Sequence, residues 1–142
     1  MFSVCLVIEE REPEWYNQWG YVLSHWKPAN LYLIGSEINI AYKPFRQGIL
    51  VQTAAEINEG PLVLLQPLQA KITLPNESIM TFQHPESCVY IFSSDRVDFS
   101  DAFLGNRQPD NIVYIPTEGD MEMYSWVAGA VTIHDRMLKA YG

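Results

Sequence analysis

Ser87-Cys-Val-Tyr-Ile-Phe92, running into Ser93-Ser94-Asp95, and Asn111-Ile-Val-Tyr-Ile115, running into Pro116-Thr-Glu-Gly119, are the two stretches whose reading decides the fold. Each is a short run of apolar, β-favouring residues without polar alternation, which is the pattern of a strand covered on both faces. Each stops abruptly in turn-forming residues. Between them Ser100 predicts the cap of a short helix over Asp101 to Leu104, which Gly105 ends. After the second run, a loop containing Gly119 leads into a helix from about Met123 to the end, in which Ala128, Gly129 and Ala130 leave room for another backbone.

Working outward, Phe2 to Ile8 has the same two-sided apolar character and predicts a central strand. Pro13 suits the first turn of a helix running to about Trp26, with Trp15, Trp19, Val22, Leu23 and Trp26 at three- and four-residue spacing. Asn30 to Gly35 predicts a second buried strand. Gly48 to Val51 and Leu62 to Gln66 predict two more, the latter bracketed by Pro61 and Pro67, which cannot pair inside a ladder. Ile72 to Leu74 extends that strand or forms another, and Pro75 to Phe82 reads as a polar turn and connector. Strands alternating with helices imply an α/β fold, a mostly parallel sheet with helices on both faces, built as a single domain over residues 1–142. In such sheets ligands gather at the carboxyl ends of strands, here Gly35, Phe92 to Asp95 and Ile115 to Gly119.

Composition narrows the function classes. With 48% hydrophobic residues in 142, the chain can fill one core of ordinary size. The apolar run Phe2 to Ile8 is too short to span a membrane and leads into Glu9, Glu10 and Glu12 rather than a small-residue cleavage site, so a cytoplasmic protein is expected. Cys5 and Cys88 lie in separate apolar runs and read as core thiols. His84 and His134 have no companion at metal-ligand spacing, and no metal is expected. A formal charge of −8 opposes a global nucleic-acid surface; a local patch would draw on Arg11, Lys27, Lys43 and Arg46, or on Arg96 and Arg107.

Taken together, Val89-Tyr-Ile-Phe-Ser-Ser-Asp-Arg-Val-Asp-Phe-Ser100, Ile115-Pro-Thr-Glu-Gly119 and Met123-Tyr-Ser-Trp-Val-Ala-Gly-Ala-Val-Thr-Ile-His-Asp135 resemble the second and third motifs of the SpoU class of the SPOUT superfamily, the trefoil-knotted RNA 2′-O-methyltransferases. Phe2 to Gly35 resembles that family's opening unit. The resemblance implies a deep carboxyl-terminal trefoil knot, S-adenosylmethionine as cofactor, tRNA or rRNA as substrate, and a homodimer. It implies cofactor contacts, mainly through the main chain, from Phe92, Ser93, Ile115, Thr117, Gly119, Met123 and Ser125. Where the family has Gly, Glu, Gly, Met and Asn, this chain carries Ser93, Asp95, Asp98, Thr117 and Tyr124, and Tyr21 stands near the place of the family's catalytic Arg. A noncatalytic member of the fold that binds a protein or small molecule is the alternative.

For catalysis the residues to weigh are Asp95, Tyr21 and His25. Asp95 begins a loop after a strand, where a carboxylate orients a ligand or bonds its own backbone. Tyr21 and His25 share a helical face and serve either as replacement acid/base groups or as a core-edge phenol and a solvated imidazole. Trp15, Trp19 and Trp26 read as packing or dimer-interface residues before a base-stacking surface. The excess of aromatics on the first helix, with Ala128, Gly129, Thr132, Val131 and Met137 on the last, predicts a dimer through these two helices. Gly119 is expected to need its small size where backbones cross in the knot.

Overall fold

The computed structural model describes residues 1–8, 13–35, 45–66, 75–92, 101–119 and 123–141. Seven strands form one sheet: β1 (Phe2–Val7), β2 (Leu31–Ile34), β3 (Ile49–Val51), β4 (Leu62–Gln66), β5 (Glu77–Ser78), β6 (Cys88–Phe92) and β7 (Asn111–Tyr114). Their order across the sheet is β3-β2-β1-β6-β4-β7-β5, and every pairing is parallel. Parallel neighbours need a crossover connection, so each joins residues far apart in sequence. The helices are α1 (Pro13–His25), α2 (Asp101–Leu104) and α3 (Ser125–Tyr141), with a 3-10 turn at Ala54–Glu56.

The alternation of side chains along each strand divides the core into two layers. On one face Val4, Leu6, Leu33, Val63, Leu65, Tyr90, Phe92 and Val113 pack under α1 and α3, meeting Trp15, Trp19, Leu23 and Ile133. On the other, Cys5, Val7, Ile34, Leu64, Val89, Ile91 and Ile112 are covered by Ala54, Ile57 and Leu104. Each such aliphatic side chain contributes roughly 1.5–3 kcal/mol by leaving water, which is why the uninterrupted apolar runs had to be strands buried on two sides. Cys5 and Cys88 lie in opposite layers, so the sheet itself separates the two thiols.

Two expectations are corrected here. Residues 75–82 are more than a connector: Glu77–Ser78 pair with Val113 and Tyr114 as an edge strand, and Ile79 and Phe82 are buried beside it. A two-residue strand after Pro75 and Asn76 is too short to show a period. The aromatics of α1 are not surplus. Trp15, Trp19 and Val22 are 3%, 0% and 6% exposed within the single chain, and Trp26 packs partly against the same core, so these side chains complete one subunit's interior. On α3, Gly129 and Thr132 are buried inward too; Gly129 faces Trp19 so closely that a β-carbon there would lie 2.5 Å from the indole Cη2.

The expected knot turns on the segments 93–100 and 120–122, which lie outside the described residues, as does Ile72 to Leu74.

Candidate functional site at the carboxyl edge

In the centre of the sheet the register sets Phe92 and Val113 on either side of Leu65, about 10 Å apart across two strand spacings. The chain leaves β7 after Tyr114, whose carbonyl accepts the Ile79 N–H at 2.9 Å. Ile115 packs partly against the core, while Pro116, Thr117, Glu118 and Gly119 are exposed. The Thr117 hydroxyl donates to the Gly119 carbonyl at 3.5 Å. Chain and solvent meet again at Met123, half-buried, and Tyr124, exposed and stacked on Trp126 with ring planes 9° apart. The Tyr124 carbonyl accepts the N–H groups of Val127 and Ala128, both at 3.0 Å, which opens the first turn of α3.

Of the residues expected around a cofactor, the structure joins Phe92 and Ser125 through a third side chain. Trp19 lies with its ring centroid 5.3 Å from that of Phe92, and its indole N–H donates to Ser125 Oγ at 2.9 Å in a buried bond. Neither Phe92 nor Ser125 therefore presents a free side chain outward. Ile115, Thr117, Gly119 and Met123 lie on the same stretch of edge; Ser93 and Asp95 lie outside the described residues. Among the described residues no atom lies within 4 Å of where a Gly119 β-carbon would be, and the segments expected to cross it lie outside the described residues. The close approaches occur at Gly129 against Trp19 and at Gly35 against the Ile8 carbonyl.

Tyr21 and His25 stand elsewhere. Both are exposed on the outer side of α1, Tyr21 at 67%, with ring centroids 4.5 Å apart and His25 Nδ1 bonded to the Tyr21 carbonyl. The helix starts at the carboxyl end of β1 and descends toward the start of β2, so they lie on its last two turns. The structure brings neither into contact with Phe92 or Ser125.

A second polar cluster, which the sequence did not suggest, sits at the opposite, amino edge. His84, whose side chain is 4% exposed, lies with Nδ1 2.7 Å from the Tyr90 hydroxyl and Nε2 2.7 Å from Asp135 Oδ2. Arg136 donates to Tyr90 Oη at 3.0 Å and to the Pro85 and Glu86 carbonyls. One proton arrangement satisfies every group: Arg136 donates to Tyr90, Tyr90 donates to Nδ1, and a neutral imidazole donates from Nε2 to Asp135. Burial, aided by the cations Lys139 and Arg136, lowers the His84 pKa against the opposing pull of Asp135, so the His84–Asp135 contact is a hydrogen bond to a carboxylate rather than an ion pair. Asp135 is held below the usual carboxylate range: burial works against this, and the bonds from His84 and Lys139 outweigh it. Burial likewise raises both thiols, Cys5 and Cys88, which removes them as nucleophiles.

The described cations are largely spent on architecture. Arg107 donates to the Ile57 carbonyl at 2.7 Å and to the Glu59 carbonyl, and Lys139 donates to the Phe82 carbonyl at 2.7 Å. Arg96, which with Arg107 could make a local basic patch, lies outside the described residues. Among the described residues no group of His, Cys, Asp and Glu could hold a metal ion, and no helix is long and apolar enough to cross a membrane.

No family model matches the chain, and no curated protein matches it. Solved structures do match. The SpoU methyltransferase AviRb from Streptomyces viridochromogenes, in complex with AdoMet, superposes with a TM-score of 0.72 at 13% identity, over 99% of this chain and 58% of that one. TrmJ from Z. mobilis ZM4 gives 0.70 at 13% identity, over 96% and 68%. A structure described by the 2-OH methylation of C/U34 on tRNA gives 0.68 at 13% identity, over 99% and 97%. The chain spans about three fifths of the length of AviRb and of an RNA 2′-O ribose methyltransferase that it also matches. At these identities the likeness establishes the fold: a SpoU-like α/β domain.

Proposed function

We propose that this chain is an S-adenosylmethionine-binding, RNA 2′-O-methyltransferase-like protein of the SPOUT superfamily, acting on tRNA or rRNA in the cytoplasm as a knotted homodimer. The observation that carries the proposal is the joining of strand end and helix start: Phe92 and Ser125 converge on Trp19 at the carboxyl edge, in a sheet whose solved likenesses include a complex with AdoMet. The cofactor is held there by the main chain of Phe92, Ser93, Ile115, Thr117, Gly119, Met123 and Ser125. Tyr21, His25 and Asp95 remain the candidates for proton transfer, Tyr21 and His25 on an accessible helix face. Calorimetric titration with S-adenosylmethionine and its demethylated product tests the reading: saturable binding is expected, and no heat at millimolar ligand overturns it.

The dimer is supported by α3 alone rather than by the tryptophans. Tyr124, Val127, Val131, His134 and Leu138 fall within one narrow stripe of that helix and are exposed, on the side opposite the buried Ser125, Gly129 and Thr132. A helix apolar on both sides calls for a second partner, and an isologous pair is the commonest one.

The second reading, a noncatalytic binding protein, is favoured by the use of Arg107, Arg136 and Lys139 on carbonyl groups and by the −8 charge. Methyl transfer to bulk tRNA or rRNA from labelled S-adenosylmethionine separates the two readings.

A further inference from the structure

We propose that Trp19 is the positioning residue of the carboxyl-edge site: its indole sets the gap between the end of β6 and the first turn of α3, and thereby the shape of the cofactor cleft. The inference rests on the functional reading above and goes beyond it in assigning a role to a residue of α1 that contacts no ligand.

Three contacts of one ring carry the argument. The indole, fully buried, lies against Phe92, the last residue of β6. Its N–H donates to Ser125 Oγ, the first residue of α3. Its Cζ3 and Cη2 fill the space that a side chain at Gly129 would occupy, one turn further along α3. Trp15 backs the ring from behind, with centroids 6.3 Å apart. The far half of α3 is fixed independently, by Arg136 on the Pro85 and Glu86 carbonyls and by Lys139 on those of Ile79 and Phe82. Those anchors set the helix at the amino edge. They leave its opening turn, 16 Å or so away along the axis at ~1.5 Å per residue, to be placed by what touches it there. An aromatic ring alone would supply the spacing. The N–H adds direction, because a buried indole donor left unpaired is costly, so Ser125 and the main chain that it carries are drawn to one place.

The test uses hydrogen exchange along α3 together with cofactor affinity in Trp19→Phe, Ser125→Ala and the double variant. Trp19→Phe keeps a ring against Phe92 and removes the donor; Ser125→Ala leaves Trp19 intact and serves if the first variant folds poorly. Amides of residues 123–129 are expected to exchange about fivefold faster in either variant, the worth of one hydrogen bond, while those of 136–141 stay unchanged. S-adenosylmethionine should bind about fivefold more weakly, and the double variant should be no worse than either single one. Unchanged exchange at 123–129, or equal acceleration along the whole helix, overturns the proposal by showing no local role or only a general one. If the unmodified protein binds no cofactor, the functional reading fails by itself, and the exchange pattern still decides whether Trp19 positions this edge.

Discussion

Thr132 and His84 show how single side chains set the character of this interior. The Thr132 hydroxyl is buried with no hydrogen-bond partner among the described residues. Thr132→Val keeps the shape and removes an unpaired polar group, so its effect on stability should lie between neutral and a gain of about 1 kcal/mol, measured by urea unfolding; a loss above that size would show that the hydroxyl is bonded in solution. His84 makes the opposite case, a buried polar group whose neighbours are all matched. Its folded pKa lies below its ordinary value of 6.5, so on acidification the unfolded chain takes up the proton first, and stability falls as pH drops from about 6.5 through the folded value. Asp135, with a lowered pKa, keeps its contribution until lower pH and then loses it in the same direction. The urea midpoint should therefore decline between pH 7 and 5, and His84→Gln should be less stable at pH 7 yet flatter across that range. An equal slope in the variant would assign the acid sensitivity to other groups. None of this was legible in the sequence, because Asp135 lies 51 residues from His84 and no local spacing connects them.

At the scale of elements, the strands were legible and the contacts between helices were not. Phe2 to Val7, Leu62 to Gln66 and Cys88 to Phe92 announced themselves because burial on both faces demands unbroken apolar runs. Gly105 at φ +67° ends α2 where a glycine was expected to. Which glycine is sterically required could not be read, since that depends on what crosses it. Among the described residues a tight approach falls at Gly129, where α3 meets the Trp19 ring. Gly129→Ala is expected to cost about 1–3 kcal/mol through overpacking, despite the better helix propensity of alanine, whereas Gly119→Ala should leave the unfolding midpoint within experimental error. The reverse order would place the tighter crossing of backbones at Gly119. The candidate site was half legible: the strand ends that should carry it were marked by Phe92 and Ile115, but the Trp19–Ser125 bond that ties the start of α3 to the end of β6 spans 106 residues.

For the molecule as a whole, the open question of assembly reduces to the outer stripe of α3. Val131→Lys with Leu138→Lys places two charges on that stripe without touching the buried side of the helix. Sedimentation at micromolar concentration should give a species near twice the 16.3 kDa chain mass for the unmodified protein and near the chain mass for the variant, with little change in unfolding midpoint; a single-chain mass for both would overturn the dimer. The all-parallel order of the sheet has another consequence, which concerns how the chain comes to exist at all. Phe2 at the start of β1 pairs with Cys88, and β1 and β6 lie at the heart of the sheet, so the central seam joins residues to partners made much later in synthesis. On the ribosome, β1 and β2 can meet early, but one edge of β1 stays bare until residue 92 has cleared the exit tunnel. At about 5–20 residues per second that interval lasts several seconds, long enough for a chaperone to engage the waiting edge. High contact order, with its slow approach to the native state, is thus a cost written into the connectivity that places the carboxyl edge.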